Sequence, residues 1–251
     1  MTNKIVKNIY NTLLHWEGKN SINPYPIHKK LNQHKFEHPS VYHWISSYYK
    51  IDSNAHILDA GCGVGYGSIY LAKHFKCTIK GISLSDAEIK KAKYYAKKTS
   101  VSNKVFFQQQ SYDNLEANTY DFIIAIESIK HSLDLDKTLN ALITALKPNG
   151  VLIIIDDFLV RDTHQNIFCR YARDWRLKTD LKYTLFNAFT LKKDLTSYIK
   201  TKSTLQLNLG IFILNLSVPF HKIAQIIRGG LYLEMLYQKK TVKYYALEFK
   251  K

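Results

Sequence analysis

Short apolar segments alternate with amphipathic helical segments through the middle of the chain. Five of the apolar segments have the length of buried strands and lie at residues 55–60, 78–82, 105–109, 122–126 and 151–156. The segments between them repeat their apolar residues at helical spacing. One of these helices begins with a capping box, in which Ser85 caps the helix and Glu88 reaches back. Strands that alternate with helices predict right-handed β-α-β units and a parallel sheet buried on both faces.

The regions on either side follow a different pattern. Residues 1–50 carry one-sided apolar stripes, which predict an N-terminal helical lid. Residues 161–200 are dense in aromatic and charged side chains and predict a helical cap inserted after strand five, with a helix at 191–200. Two further strands are expected at 205–209 and 242–249, the second as an antiparallel edge strand. The predicted sheet therefore has seven strands.

These patterns divide the chain into four parts. We expect a lid at residues 1–50, a core at 51–160, a cap insertion at 161–200 and a C-terminal part of the core sheet at 201–251. The fold class is α/β, with a mostly parallel sheet and helices on both of its faces.

The composition is that of an ordinary globular protein. Hydrophobic residues make up 46% of the 251 residues and charged residues 22%, which excludes disordered and fibrous classes. The three cysteines form no CxxC pair, so we expect neither a disulfide framework nor a cysteine-type zinc site. We find no secretory signal and no run of 18 apolar residues. We therefore expect a cytoplasmic protein without a transmembrane segment.

The net charge is +16, from 36 basic and 20 acidic residues. Such an excess attracts nucleic acid or an anionic membrane surface. However, the lysines are spread along the whole chain as singles and pairs, without a block of five or six like charges. This distribution favours solvated helix faces. A nucleic-acid partner is therefore not expected, while peripheral membrane contact and the oligomeric state stay open.

The most informative stretch follows the first core strand. Residues 57–65 read Ile-Leu-Asp-Ala-Gly-Cys-Gly-Val-Gly, which places three glycines in a tight strand-to-helix turn. The dinucleotide pattern G-x-G-x-x-G fails, because its third glycine position falls on Tyr66 or Ser68. A Walker A loop fails as well. The spacing is compatible with a nucleoside-bearing ligand that is approached by bare backbone and carries no pyrophosphate.

This stretch resembles the first motif of the class I S-adenosylmethionine (SAM)-dependent methyltransferases. The resemblance implies a Rossmann-like sheet, SAM as the cofactor and S-adenosylhomocysteine as its product. It also implies that Gly61, Gly63 and Gly65 let the chain pass beside the methionine part of SAM. Asp59 would then bind the methionine amino group or organise the turn.

Three further motifs resemble those of tocopherol and sterol C-methyltransferases. They are Gly-Ile-Ser-Leu-Ser at 81–85, the Glu-Ser-x-x-His that ends the segment 120–131, and Leu-Lys-Pro-Asn-Gly-Val-Leu at 146–152. The resemblance implies a small apolar or amphipathic metabolite as the methyl acceptor. Carbon, nitrogen and oxygen all stay open as the acceptor atom.

Two departures from the wider family concern the cofactor. Ser83 and Leu84 stand where many relatives have a carboxylate for the ribose hydroxyls, and Ser111, followed by Tyr112, stands where many have an aspartate for adenine. The resemblance implies that these four residues and Ile126 contact the cofactor, with serine hydroxyls or backbone in place of the carboxylates.

Glu127 and His131 follow the fourth strand and are the candidate catalytic residues. Four residues apart, they share one face of a predicted helical turn. Histidine suits a general base, because its ordinary pKa lies near 6.5. Glu127 would orient it, bind the acceptor or stabilise a developing cation. The alternative is a helix-start carboxylate and a surface histidine without a catalytic role.

Aromatic residues of the lid and the cap are expected to bind the acceptor. The candidates are Tyr10, Tyr25, His28, Tyr171 and Trp175. Ten histidines occur without HxH or HExxH spacing, so we expect no metal site. The alternative function is a nucleic-acid-directed methyltransferase that uses the basic surface. Asn-Pro-Tyr-Pro at 23–26 resembles the motif of amino-methylating DNA enzymes, but it precedes the glycine loop instead of following strand four.

Overall fold

A computed structural model describes residues 41–160, 189–199 and 233–251, together with the single positions 4, 7, 8, 10, 11, 206 and 231. Within these residues the chain forms one seven-stranded sheet in the order β3-β2-β1-β4-β5-β7-β6. The strands are β1 His56–Ala60, β2 Thr78–Ser83, β3 Val105–Gln109, β4 Tyr120–Ile126, β5 Leu146–Leu159, β6 Leu191–Asp194 and β7 Val242–Lys250. The first five are mutually parallel, whereas β7 runs antiparallel to both β5 and β6.

Helices cover the sheet and connect its parallel strands. They are α1 Val41–Tyr48, α2 Tyr66–Phe75, α3 Asp86–Lys98 and α4 Leu135–Ala145, with 3-10 turns at Ile129–His131 and Thr196–Tyr198. None of the helices in the described part of the chain is long and apolar enough to cross a membrane. The predicted α/β class and seven-stranded, mostly parallel sheet are confirmed.

Both faces of the sheet are buried, which explains the continuous apolar strands. Neighbouring residues of a strand point to opposite faces, so Ile57 joins the core beneath α1, α2 and α3, while Leu58 joins the core beneath α4. Both side chains are at most 1% exposed. A strand with two buried faces has no polar positions to alternate with its apolar ones.

The sheet has a topological switch point between β1 and β4. From β1 the chain proceeds outward through β2 to β3 and then returns to the other side of β1, where β4 pairs in parallel with it. The loops that follow these two strands therefore depart in opposite directions and leave a crevice at their carboxyl ends. Open α/β sheets bind their ligands at such a crevice.

Three of the elements predicted between residues 191 and 249 differ in the structure. The helix expected at 191–200 is wrong, because β6 occupies Leu191–Asp194 and a 3-10 turn follows it. β7 is antiparallel as expected but is not an edge strand, since β6 pairs along its other side. The strand expected at 205–209 is wrong at Gln206, which is helical. The four-residue strand Leu-Lys-Lys-Asp is too short and too polar to be recognised, and only its pairing with β7 makes it a strand.

Candidate active site

A cavity of about 320 Å³ lies at the carboxyl ends of β1, β2 and β4. Most of the cofactor-binding residues predicted from the sequence line it, namely Gly61, Gly63, Ser83, Leu84, Ser111, Tyr112 and Ile126. Glu127, His131 and Tyr10 line the same cavity. The sheet therefore brings the predicted cofactor and catalytic residues together in one site.

Two glycines of the loop after β1 serve different purposes. A Cβ on Gly61 would lie 2.3 Å from the Cβ of Ser128, so Gly61 lets the loops after β1 and β4 pack together. Ser128 fixes this contact by donating a hydrogen bond to the carbonyl of Ala60 at 2.6 Å. Gly63 has a φ of +52°, and a Cβ there would meet nothing nearer than Glu88 Oε1 at 3.9 Å. Gly63 thus presents bare backbone to open space.

Asp59 and Gly65 lie behind the loop and do not line the cavity. Asp59 is 1% exposed and accepts hydrogen bonds from Ser68 Oγ at 2.6 Å and from the Tyr42 hydroxyl at 3.3 Å. Burial raises its pKa to about 6. A Cβ on Gly65 would come within 3.0 Å of Phe107 and Ala92. Of the two roles considered for Asp59, this position supports the organisation of the turn.

Glu88 supplies the carboxylate that the end of β2 lacks. Ser85 caps α3 by accepting from the Glu88 N–H at 3.0 Å, as the capping box predicts. The Glu88 carboxylate turns the other way, however, and accepts a hydrogen bond of 2.5 Å from Ser83 Oγ. Glu88 is 3% exposed, and it lines the cavity. The sequence analysis missed it because the capping pattern already accounted for that glutamate.

Ser111, the other serine at a position where many relatives have a carboxylate, also lies beside an acidic residue. Ser111 Oγ donates a hydrogen bond of 3.1 Å to Asp113, and both residues line the cavity. Tyr112 lies between them in sequence, and burial raises its pKa above the ordinary range. A carboxylate is therefore present two residues beyond the position at which many relatives have one.

Glu127 has a strained backbone and a fixed side chain. Its φ is +47°, which is unusual for a residue with a side chain. Its N–H donates to the carbonyl of Ile155 at 2.8 Å, and its Oε1 accepts a hydrogen bond of 3.0 Å from the Tyr244 hydroxyl. The expectation that Glu127 and His131 share a helical face is wrong, because helical geometry begins only after Glu127. Backbone strain of this kind concentrates at functional sites.

His131 pairs with Tyr10, which belongs to the N-terminal segment (the described positions 4, 7, 8, 10 and 11). Its Nε2 lies 2.6 Å from the hydroxyl oxygen of Tyr10, and the two rings meet edge to face with centroids 5.4 Å apart. Burial raises the pKa of Tyr10 above its ordinary value, so the phenol of this pair stays protonated.

The same N-terminal segment reaches the opposite side of the cavity. Lys7 forms an ion pair of 2.8 Å with Asp86, and Asn11 Oδ1 accepts a hydrogen bond of 2.5 Å from Ser85 Oγ. Together with Tyr10, these residues link the end of β2 to the loop after β4. The other predicted acceptor residues, Tyr25, His28, Tyr171 and Trp175, lie outside the described residues, as does most of the predicted lid and cap.

Lys130 is a second residue that the sequence analysis missed. It lines the cavity beside Glu127, although only 5% of the residue is exposed. Its Nζ lies 3.0 Å from Asp156 Oδ1 and 3.7 Å from Asp157 Oδ2. Among the described residues, no group of three or more histidine, cysteine, aspartate or glutamate side chains is placed to hold a metal ion.

A family model described as a methyltransferase domain matches residues 51–203. The chain belongs to this methyltransferase family. The resemblance to methyltransferases that the sequence motifs indicate is therefore confirmed.

Curated relatives of the methyltransferase include sterol-modifying enzymes. Sterol 24-C-methyltransferase ERG6 of Saccharomyces cerevisiae is 34% identical over 102 residues, which cover 40% of this chain and 27% of that enzyme. The chain spans less than a third of the length of the sterol methyltransferases that it matches first.

Solved structures share the fold of the methyltransferase at low sequence identity. The [4+2]-cyclase SpnF superposes with a TM-score of 0.73 and 18% identity, covering 100% of this chain and 97% of that one. Geranyl diphosphate C-methyltransferase from Streptomyces coelicolor A3(2), which was crystallised with S-adenosyl-L-homocysteine, gives a TM-score of 0.68 and 13% identity, with 99% and 97% covered. These two likenesses show the fold alone.

The residues that line the cavity fit SAM. The backbone at Gly63 borders space that a side chain would fill, and bare backbone allows a ligand to approach closely. The Ser83–Glu88 pair and Asp113 provide acceptors for ribose hydroxyls and for an adenine amino group. The lining along the loops after β1, β2 and β3 therefore has the chemistry that SAM requires.

Proposed function

We propose that the protein transfers the methyl group of SAM to a small apolar or amphipathic molecule, with carbon as the acceptor atom. This proposal rests on the observation that two different kinds of surface line one cavity. Bare glycine backbone lies along one wall, and Glu127 with the Tyr10–His131 pair lies along another. The sterol 24-C-methyltransferases among the relatives support carbon as the acceptor atom.

The cofactor is held by backbone and by two relocated carboxylates. In this proposal the Gly61–Gly63 backbone passes beside the methionine part, the Glu88 carboxylate and the Ser83 hydroxyl bind the ribose, and Asp113 lies at the adenine end. Ile126, Leu84 and Tyr112 pack against its apolar surfaces. Bound SAM supplies a methyl group that is already activated by the positive charge on sulfur.

The protein has two tasks besides binding, namely alignment and charge stabilisation. A displacement at an activated methyl group depends mainly on the alignment of the acceptor and the exclusion of water. When the acceptor is a neutral carbon, positive charge passes from sulfur to the acceptor. The Glu127 carboxylate, held by Tyr244, lies in the cavity to stabilise that charge. Tyr10 covers the site from the N-terminal segment.

The Tyr10–His131 pair completes the reaction. A carbon acceptor that has gained a methyl group must lose a proton, and a neutral imidazole accepts one. The hydrogen bond between the Tyr10 hydroxyl and Nε2 fixes the ring of His131 in the resting site. The base therefore becomes available when the acceptor displaces or shares this hydrogen bond.

Transfer of a labelled methyl group tests the proposal. The full chain is incubated with methyl-labelled SAM and, separately, with sterols, geranyl diphosphate, duplex DNA and RNA. His131→Ala should lower kcat by about 10²–10⁴-fold, while SAM affinity measured by calorimetry stays within about twofold. His56→Ala, at the amino end of β1 and exposed to solvent, is the matched control and should keep full activity.

Other outcomes would contradict the proposal at identifiable points. Label transferred only to nucleic acid would favour the basic-surface alternative, and the acceptor assignment would be wrong. Conversion of an acceptor without incorporation of label would indicate a non-methylating reaction on the same fold. An unchanged rate in His131→Ala would remove the histidine from the mechanism.

A further inference from the structure

Lys130 lies at the centre of a buried charge cluster beside the cavity. Its ammonium group is 3.0 Å from Asp156 Oδ1, 3.7 Å from Asp157 Oδ2 and 3.9 Å from Glu127 Oε2. The two aspartates end the apolar stretch of β5 and are each 1% exposed. A buried lysine is rare unless it is paired, and this one faces three carboxylates that come from two strand ends.

The cluster carries more negative charge than the lysine can balance. Asp156 Oδ2 is buried and accepts no hydrogen bond from the described residues. Burial raises the pKa of Asp156 above its ordinary value. Burial alone would lower the pKa of Lys130, but Asp156, Asp157 and Glu127 raise it above its usual range. Lys130 is therefore a permanent cation in an anionic surrounding.

Of the three carboxylates, Glu127 is the one that lines the cavity. The side chain of Glu127 is 16% exposed, compared with 1% and 0% for those of Asp156 and Asp157. The cluster therefore reaches the cavity through Glu127 and Lys130. Two buried anions behind Glu127 disfavour its ionised form, and the ammonium of Lys130, 3.9 Å from Glu127 Oε2, compensates them.

We propose that Lys130 is a positioning residue that keeps the Glu127 carboxylate ionised and directed into the cavity. The role rests on the proposed function, in which Glu127 stabilises positive charge on the acceptor. Tyr244 fixes Oε1 with a hydrogen bond, and Lys130 attracts Oε2 from the other side. The strained φ of Glu127 brings the carboxylate between these two groups.

Among the described residues, the other titratable groups around Glu127 are the imidazole of His131, which lines the same cavity, and four phenols. The phenols come from the N-terminal segment, α1, the helical residues at 233–238 and β7, and they are Tyr10, Tyr42, Tyr237 and Tyr244. Burial raises the pKa of each one, so all four stay neutral at physiological pH. Because His131, Asp156 and Asp157 are common to the wild type and to a variant of Lys130 alone, a difference between their Glu127 titrations reports on Lys130.

The test is a direct titration of Glu127 by NMR with ¹³C-labelled glutamate, in which Glu127→Gln assigns the signal. The variant Lys130→Met retains the apolar stem and removes the charge. We expect the Glu127 carboxyl to titrate about 1–3 pH units higher than in the wild type. The acidic limb of the kcat/KM profile should move by the same amount, and Lys130→Arg should restore both. Lys243→Met removes an exposed lysine that pairs with Asp194 at 2.8 Å, and it should change neither.

A second variant preserves the test if Lys130→Met fails to fold. Lys130→Met combined with Asp156→Asn has the same net charge as the wild type and removes the carboxylate nearest to the lost ammonium. It should fold and still show an upward shift of the Glu127 titration, because the ammonium nearest to Glu127 is gone. An unchanged titration in either variant overturns the proposal. Absent SAM binding in the wild type would instead contradict the proposed function, since the titration needs no activity.

Discussion

The two walls of the cavity recognise their ligands in opposite ways. The wall after β1 comes from the loop that follows the strand and presents bare backbone, with Gly61 packed on Ser128 and Gly63 facing open space. The wall after β4 presents charge, with Glu127 held between Lys130 and Tyr244. Shape therefore dominates one wall and electrostatics the other. The first suits a cofactor common to a family, and the second suits the reaction particular to this chain.

The N-terminal segment connects the two walls. Tyr10 contacts His131 on the charged side, while Lys7 and Asn11 contact Asp86 and Ser85 beside the end of β2. Because a single segment makes both sets of contacts, it covers acceptor and cofactor together in the proposed function. Exclusion of water from both strengthens the electrostatic interactions between Glu127 and a developing cation.

Gly63→Val tests the wall of bare backbone and should have the largest effect. The new side chain would project into the cavity at a φ of +52°, where side chains are already disfavoured. We expect SAM affinity to fall by at least about 10²-fold in calorimetry, which corresponds to the loss of about 3 kcal/mol. Circular dichroism should show the wild-type fold. Undiminished SAM affinity would contradict the placement of the cofactor along this loop.

The same contrast explains what could be predicted from the sequence. The glycine loop was recognised because its function depends on residues that are adjacent in the chain, and the buried strands because both of their faces are apolar. Lys130 was missed because it is one of 36 basic residues, and only the folding of β5 beside β4 places carboxylates around it. Glu88 was missed because its local capping pattern gave a sufficient explanation.

The strand β6 was missed for a related reason. Its pattern Leu-Lys-Lys-Asp has neither the length nor the alternation of a strand, and its hydrogen bonds all come from β7, about fifty residues away in sequence. Pairing of this kind is decided by tertiary structure and not by local preference. Recognition from sequence therefore fails where a residue's role depends on distant partners.

Asp59→Asn tests the one buried charge behind the glycine loop. The pKa of Asp59 is raised from 3.8 to about 6 in the folded protein, so its contribution to stability is present below about pH 4 and is lost as the pH rises through 6. The wild type should lose about 2–3 kcal/mol of unfolding free energy relative to the variant between pH 4 and 7. Urea unfolding at several pH values measures this difference.

The comparison with the variant separates Asp59 from Asp156, since both proteins keep Asp156 and its contribution cancels. The amide of asparagine can still accept from Ser68, so the turn should be retained. Parallel pH profiles for the two proteins would show that Asp59 is not destabilised by burial. In that case the destabilised buried carboxylates would be those around Lys130, on the charged wall. The electrostatic difference between the two walls would then be larger.

Glu127→Gly compared with Glu127→Ala tests strain on the charged wall, and its effect is the smallest. At an ordinary helical position such as the exposed Lys90, glycine is less stable than alanine by about 1 kcal/mol. At Glu127 the φ of +47° disfavours alanine and suits glycine. Both variants lose the same contacts with Lys130 and Tyr244, so their difference isolates the backbone.

We therefore expect the order of stability to reverse, with Glu127→Gly about 1 kcal/mol more stable than Glu127→Ala, while both lose methyl transfer to a similar extent. Thermal unfolding of the two variants and of the Lys90→Gly and Lys90→Ala pair measures the reversal. The same order at both positions would mean that the backbone at Glu127 is not strained. The reversed order would mean that the chain keeps a side chain at a position where the backbone favours glycine, as strained residues of functional sites do.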